Sequence, residues 1–305
     1  VTDRIALASL AIVLAAMAYP WESTTDWWIF GIAVAVVVVV FAWWRGQFLT
    51  NMVARRFAVF RRNHSKPKAQ NPNQVTVVVR VEDPAGLGVP LPLVSGYVER
   101  FGVRSEKVRV TTHDRDGARA TWISLTLDAA ANLVALQARS PELPLRETAE
   151  IAARRIADQL REAGLDAVLV EDADAPLVGN TREKWRGVKD EAGFVSAYGI
   201  PVDDRLGERL EEVRSEPTET WTAVEFSGSA ARPAVAAVCA FRTPEVVRGV
   251  PVSGLTAHRG VQKPLLTALD PKAVGQLGVP VRGVAPDRLA RIDWPAGAQA
   301  ELSRT

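Results

Sequence analysis

Two apolar runs at the start of the sequence constrain what the rest of it can do. Ile5 to Trp21 reads IALASLAIVLAAMAYPW and Trp27 to Trp44 reads WWIFGIAVAVVVVVFAWW; apart from the Tyr19 phenol neither holds an ionisable acid or base. As helices they rise ~26 Å each at 1.5 Å per residue, close to the ~30 Å hydrocarbon core of a bilayer. The β-branched run Val36 to Val40 favours a strand in water. In lipid, however, an isolated strand leaves its backbone groups unpaired, so helix is the expected state. The sequence therefore predicts a two-helix transmembrane hairpin over residues 1–44, with spans at about 5–21 and 27–44. Trp21, Trp27, Trp28, Trp43 and Trp44 stand at the edges of the runs, where an indole keeps its ring in the apolar layer and its N–H among headgroups.

Charge orients this hairpin. Only Glu22 to Asp26 separate the runs, without Lys or Arg, whereas residues 45 to 68 carry Arg45, Arg55, Arg56, Arg61, Arg62, Lys66 and Lys68 and no acid. Cations close to span ends stay on the cytoplasmic side, so both termini are expected there, with the short loop outside. Ala16-Met17-Ala18 resembles a signal-peptidase site. The start is weakly cationic, though, with Asp3 beside Arg4, and cleavage would send the basic segment outward. From Gln47 to Phe60 the apolar residues share a broad helical face, which predicts a basic juxtamembrane helix continuing the second span. Ser65 to Asn73 (SKPKAQNPN) reads as a linker, and the basic helix and linker together occupy 45–74.

Residues 75–305 read as a cytoplasmic mixed α/β domain. Strands are expected at 75–81, 107–112 and 120–128, the last two joined through Asp116-Gly117, a pair suited to a tight hairpin turn. Leu145, Ala149, Ala152, Ile156 and Leu160 recur at helical spacing, Gly164 is a natural stop, and 166–171 is a strand. A further helix is expected at 203–214 and strands at 219–226 and 234–241. The Gly- and Pro-rich tail from Leu255 is expected to wrap the domain or a partner.

Little in this domain points to catalysis. Gly86-Leu87-Gly88 lacks the lysine of a phosphate loop and the third glycine of a dinucleotide fingerprint, so it reads as a loop. One cysteine, Cys239, and three histidines cannot make a four-ligand zinc site. Cys239 reads as a buried small hydrophobe, and His64, His113 and His258 as solvated or capping groups. The 37 Lys plus Arg against 35 Asp plus Glu leave a net +2, too small to favour a nucleic-acid partner. Two acidic pairs follow strands, Asp114 with Asp116 and Asp172 with Asp174, in the pattern by which nucleotide-sugar transferases hold a divalent cation; charged turns give the same pattern. No catalytic, cofactor or metal residue is nominated from the sequence beyond that acidic pair.

Two close spans with a tiny outer loop, the Trp-Trp-Arg-Gly exit at 43–46, the basic helix and an α/β domain without catalytic motifs together resemble the EccE family. That family belongs to the mycobacterial type VII (ESX) secretion inner-membrane complex. The stretch DRIALASLAIVLAAMAYPWESTTDWW, Asp3 to Trp28, is most similar to the member of the third ESX system, linked to iron and zinc uptake. The resemblance implies a non-catalytic subunit assembled with EccB, the ATPase EccC and EccD, exporting PE and PPE proteins. It also implies a degenerate glycosyltransferase-like cytoplasmic domain. Two alternatives from other classes are a membrane-tethered glycosyltransferase using Asp114 and Asp116, and an anionic-lipid-binding module built on residues 45–68.

Overall fold

The computed structural model describes residues 2–17, 19, 23–41, 43–44, 47–64 and 71–297. The chain divides into two compact units, Val1–Ser65 and Lys66–Thr305.

In the first unit, helices α1 (Thr2–Met17) and α2 (Thr24–Phe41) pack on each other. Their 16 and 18 residues rise about 24 and 27 Å. Among the described residues, no helix is long and apolar enough to cross a membrane. Among the described side chains of the pair, Ala11 and Ala33 are buried, while Leu10, Ile12, Val13, Ile32 and Val34 are exposed. The expected continuous helix from the second span into the basic segment is not found. After Phe41, Trp43–Trp44 pair antiparallel with Gln47–Phe48 before α3 (Leu49–His64) begins. Aromatic residues favour this extended pairing, and it separates the apolar helix from the basic one.

The second unit is built on one sheet whose longer strands are β1 (Gln74–Glu82), β2 (Val103–Arg115), β3 (Ala118–Asp128), β4 (Asp166–Val170), β5 (Val188–Asp190), β6 (Gly193–Ile200), β7 (Thr220–Gly228) and β8 (Pro233–Thr243), with two-residue strands pairing at its margins. They lie in the order β4-β1-β3-β2-β7-β8-β6-β5, and every adjacent pair is antiparallel. The β2–β3 turn is the expected one: Arg115 pairs with Ala118 across Asp116 and Gly117, at φ 52° and 79°, the left-handed conformation that a two-residue hairpin needs at both positions. Helices are α4 (Leu91–Gly96), α5 (Leu133–Gln137), α6 (Leu145–Glu162), α7 (Leu206–Arg214), α8 (Gln262–Leu269) and α9 (Pro286–Leu289).

Alternation along β8 sorts the two faces. Val235, Ala237, Cys239 and Phe241 join one core with Ile156 and Leu160 of α6 and Leu206, Leu210 and Val213 of α7. Ala236, Val238 and Ala240 join a second core with Leu265, Leu266 and Leu269 of α8. Helix α6 ends as its sequence dictates. Gly164, at φ 90°, donates to the Arg161 carbonyl, and Leu165 N–H reaches back to Leu160, the paired bonds that close a helix through a left-handed glycine. Cys239 is fully buried, which pushes its thiol pKa up and leaves it a small core hydrophobe. Gly86 to Gly88 form a loop whose Leu87 and Gly88 N–H groups donate to the Asp83 carboxylate at 2.9 and 2.6 Å.

Candidate functional site

The side chains with chemistry gather along β2. Because successive residues of a strand face opposite ways, Val108 and Val110 enter the first core while Lys107, Arg109, Thr111 and His113 line the other face. The register sets Trp221 opposite His113, Ala223 opposite Thr111 and Glu225 opposite Arg109 on β7.

At one end of this seam Arg109 and Glu225 form a buried ion pair, Nη2 to Oε2 at 2.5 Å. Arg109 also donates to the carbonyls of Ala268 and Gly275, and Glu225 Oε1 accepts the Leu277 N–H at 3.2 Å. Lys107, equally buried, donates to the carbonyls of Ala273 at 2.6 Å and Gly275 at 2.7 Å. Burial, reinforced by the Arg109 charge, pushes its pKa down to about 6 against the pull of Glu225 and Asp270. The two side chains thus clamp the segment 268–277 at and beyond the end of α8.

At the other end His113 sits between two carboxylates. Its Nδ1 is 3.0 Å from Asp174 Oδ2, its Nε2 is 2.9 Å from Glu219 Oε1, and its ring stacks on Trp221 at 4.2 Å and 8°. Arg242 joins Glu219 at 3.1 Å, Asp190 at 2.7 Å and the Pro176 carbonyl at 2.8 Å. The expected solvated or capping role for His113 is therefore corrected: the ring is only 4% exposed, because the loop carrying Asp174 closes over the strand end. Asp190 feels burial, which raises its pKa, but Arg242 and the N–H groups of Val178 and Ala192 hold it below the usual carboxylate range.

The acidic pairs are taken up elsewhere. Asp114 Oδ1 bonds Arg119 Nε at 2.5 Å, Asp116 occupies the exposed hairpin turn, and Asp174 is engaged with His113. The carboxylates flanking His113 lie on opposite edges of its ring, so they do not converge on one ion. Among the described residues no group of three or more His, Cys, Asp or Glu could hold a metal ion. Thr111 Oγ1, Ser124 Oγ and Trp221 Nε1 are buried along the same face without a hydrogen bond among the described residues.

The remaining sequence-nominated residues lie in the first unit and the linker. Trp27 and Trp28 are exposed in the first two turns of α2, at 58% and 70%. Trp43 and Trp44 form the short pairing, and Arg55, Arg56, Arg61 and Arg62 lie on α3. Trp21, Arg45, Lys66 and Lys68 fall outside the described residues. Sequence reasoning missed the Lys107, Arg109 and Glu225 cluster. Its only local signal was a cation at every second position of a strand otherwise rich in valine.

Comparison with known proteins places this architecture. Residues 116–200, from the β2–β3 turn through β6, match the model of the family EccE, described as a putative type VII ESX secretion system translocon. The chain is 47% identical over 279 residues to the ESX-3 secretion system protein EccE3 of Mycolicibacterium smegmatis, covering 90% of each chain. It is 40% identical over 303 residues to EccE3 of Mycobacterium tuberculosis, covering 96% of this chain and 91% of the relative. Identity at that level, over at least nine-tenths of the chain, means that this chain belongs to the EccE family.

Proposed function

We propose that this chain is a non-catalytic structural subunit of a type VII secretion membrane complex, the one linked to iron and zinc uptake, and supports export of PE and PPE proteins. Residues 1–44 anchor it in the inner membrane with both termini cytoplasmic. The domain from residue 75 onward braces EccB, EccC and EccD. The observation that supports the anchoring is that, among the described side chains of the hairpin, Ala11 and Ala33 are buried while Leu10, Ile12, Val13, Ile32 and Val34 are exposed. Water disfavours that arrangement, whereas lipid favours it, because close helix approach through small residues is how helices associate where tails are as apolar as leucine. Helices of this length gain from local thinning or from neighbouring subunits.

The bracing role is supported by the seam on β2, whose charged groups are spent on holding the 172–176 and 268–277 segments in place rather than on an open site. The transferase alternative has less behind it, since nucleotides in open α/β sheets bind beyond the carboxyl ends of parallel strands and the sheet here is antiparallel. Truncation after Ala69 tests the proposal. The fragment should remain in the membrane fraction yet no longer copurify with its partner subunits in mild detergent. Normal assembly of the truncated chain would refute bracing, and a fragment that stays soluble without detergent would refute anchoring.

A further inference from the structure

The end of the second unit at which the chain arrives carries a feature that neither core nor seam uses. Residues Glu99–Arg100 pair with Val103–Arg104, the first residues of β2, in a small hairpin with Phe101 and Gly102 at its tip. Phe101 adopts φ 55°, a left-handed conformation that large L-residues rarely take, and its side chain is half exposed. A glycine or asparagine would occupy that position freely, so the strain is kept for the side chain it displays.

Guanidinium groups surround the ring: Arg155 lies 4.6 Å and Arg100 5.2 Å from its centroid. Arg139, donating to Thr148 at 2.8 Å, lines the niche beneath. None of these three arginines has an ion pair among the described residues, and no carboxylate lines the niche. Asn132 ties the neighbouring segment to the hairpin through both Arg104 backbone groups at 2.8 Å, setting the exposed Leu133 and Val134 beside it. The Asn73 carbonyl accepts from Ala129 N–H, so this is the end where β1 begins.

We propose that this tip, Phe101 with Arg100, Arg139, Arg155, Leu133 and Val134, docks on the anionic surface of the inner leaflet, the arginines meeting lipid phosphates and the apolar side chains entering the headgroup layer. Shape favours lipid over a protein partner. Phe101, Leu133 and Val134 are exposed and the space beneath the tip is only about 10 Å³, so it offers no hollow for a partner's side chain and suits a medium that yields around it. Charge agrees, because unpaired guanidiniums beside apolar groups complement phosphate above acyl chain. The inference rests on the membrane-anchored reading given above.

The test uses the full chain reconstituted in vesicles of phosphatidylcholine alone or with about one-third phosphatidylglycerol. A fluorophore is attached in separate preparations at Val134→Cys and at Ile12→Cys; the native Cys239 is buried and stays unlabelled. Lipid-borne nitroxide should quench the Val134→Cys label in the anionic vesicles, and added salt should weaken the effect. Arg100→Ser with Arg155→Ser should reduce the ratio of docked to undocked chains by about fivefold for each arginine. Phe101→Gly, which suits the backbone, should reduce it without unfolding the hairpin. A Val134→Cys label that stays in water in both lipids while Ile12→Cys is quenched by acyl-chain nitroxide overturns this proposal alone. An unquenched Ile12→Cys label overturns the anchored reading and this one with it. Shielding of Val134→Cys that appears only when partner subunits are retained also overturns it, assigning the tip to a protein interface.

Discussion

Replacing Lys107 by methionine removes a buried amine while keeping most of its volume, and the effect should be read in the pH dependence of stability. In the folded chain this amine has a pKa of about 6, against 10.5 for a free lysine. Between those values the unfolded chain holds one proton more than the folded one, so folding stability rises with pH across the window. The slope for one proton is about 1.4 kcal/mol per pH unit, or roughly 3 kcal/mol between pH 6.5 and 8.5. Below about pH 6 both states are protonated and the slope vanishes. Lys107→Met also forfeits the bonds to the Ala273 and Gly275 carbonyls, on the order of 1 to 3 kcal/mol each. That loss is the same at every pH, so it shifts the curve without tilting it.

The assay is denaturant unfolding of the full chain in mild detergent from pH 5.5 to 9, followed by the fluorescence of the buried Trp221 and Trp294. Wild-type stability minus variant stability should climb with the stated slope above pH 6 and be flat below it. A flat difference throughout would refute the reasoning, because Lys107 would then enter the fold as a charged group.

Glu225→Gln should be among the most destabilising single changes, since it strands the Arg109 charge in the core. The cost is about 3 to 5 kcal/mol, seen as a fall in Tm of about 10 °C for a unit of this size; a drop under about 2 °C would contradict it. The double change Arg109→Met with Glu225→Leu should recover most of the loss. Asp116→Asn should leave stability within about 0.5 kcal/mol, because asparagine tolerates the left-handed turn equally well. The native chain should show no saturable manganese binding by calorimetry, and binding abolished by Asp116→Asn would revive the transferase reading.

How far the sequence reveals this structure depends on how local each signal is. The Asp116-Gly117 turn, the stripe on α6 and its Gly164 terminus are set by neighbours a few residues away, so each was legible. Strand β6 was not: Phe194 to Ile200 interleaves serine, glycine and alanine with large residues because it is buried on both faces, which erases the period of two. Helix α8 hides in the glycine- and proline-rich tail, where only its packing on the second core makes it a helix. The seam is least local of all. The sequence marks 107–112 only as a strand, and what buries Lys107 and Arg109 comes from residues 225 and 268–277.

That separation orders the birth of the fold. On the ribosome β1, β2 and β3 can pair as soon as Asp128 emerges, with Lys107 and Arg109 still hydrated. Closure over them must wait for residues some 160 positions later. A nascent chain halted before α8 would lack the Leu289 and Trp294 portion of its first core and keep two cations in water on the opposite face. The side chains that lock the finished protein therefore keep its half-made form soluble, while still charged, until the tail arrives.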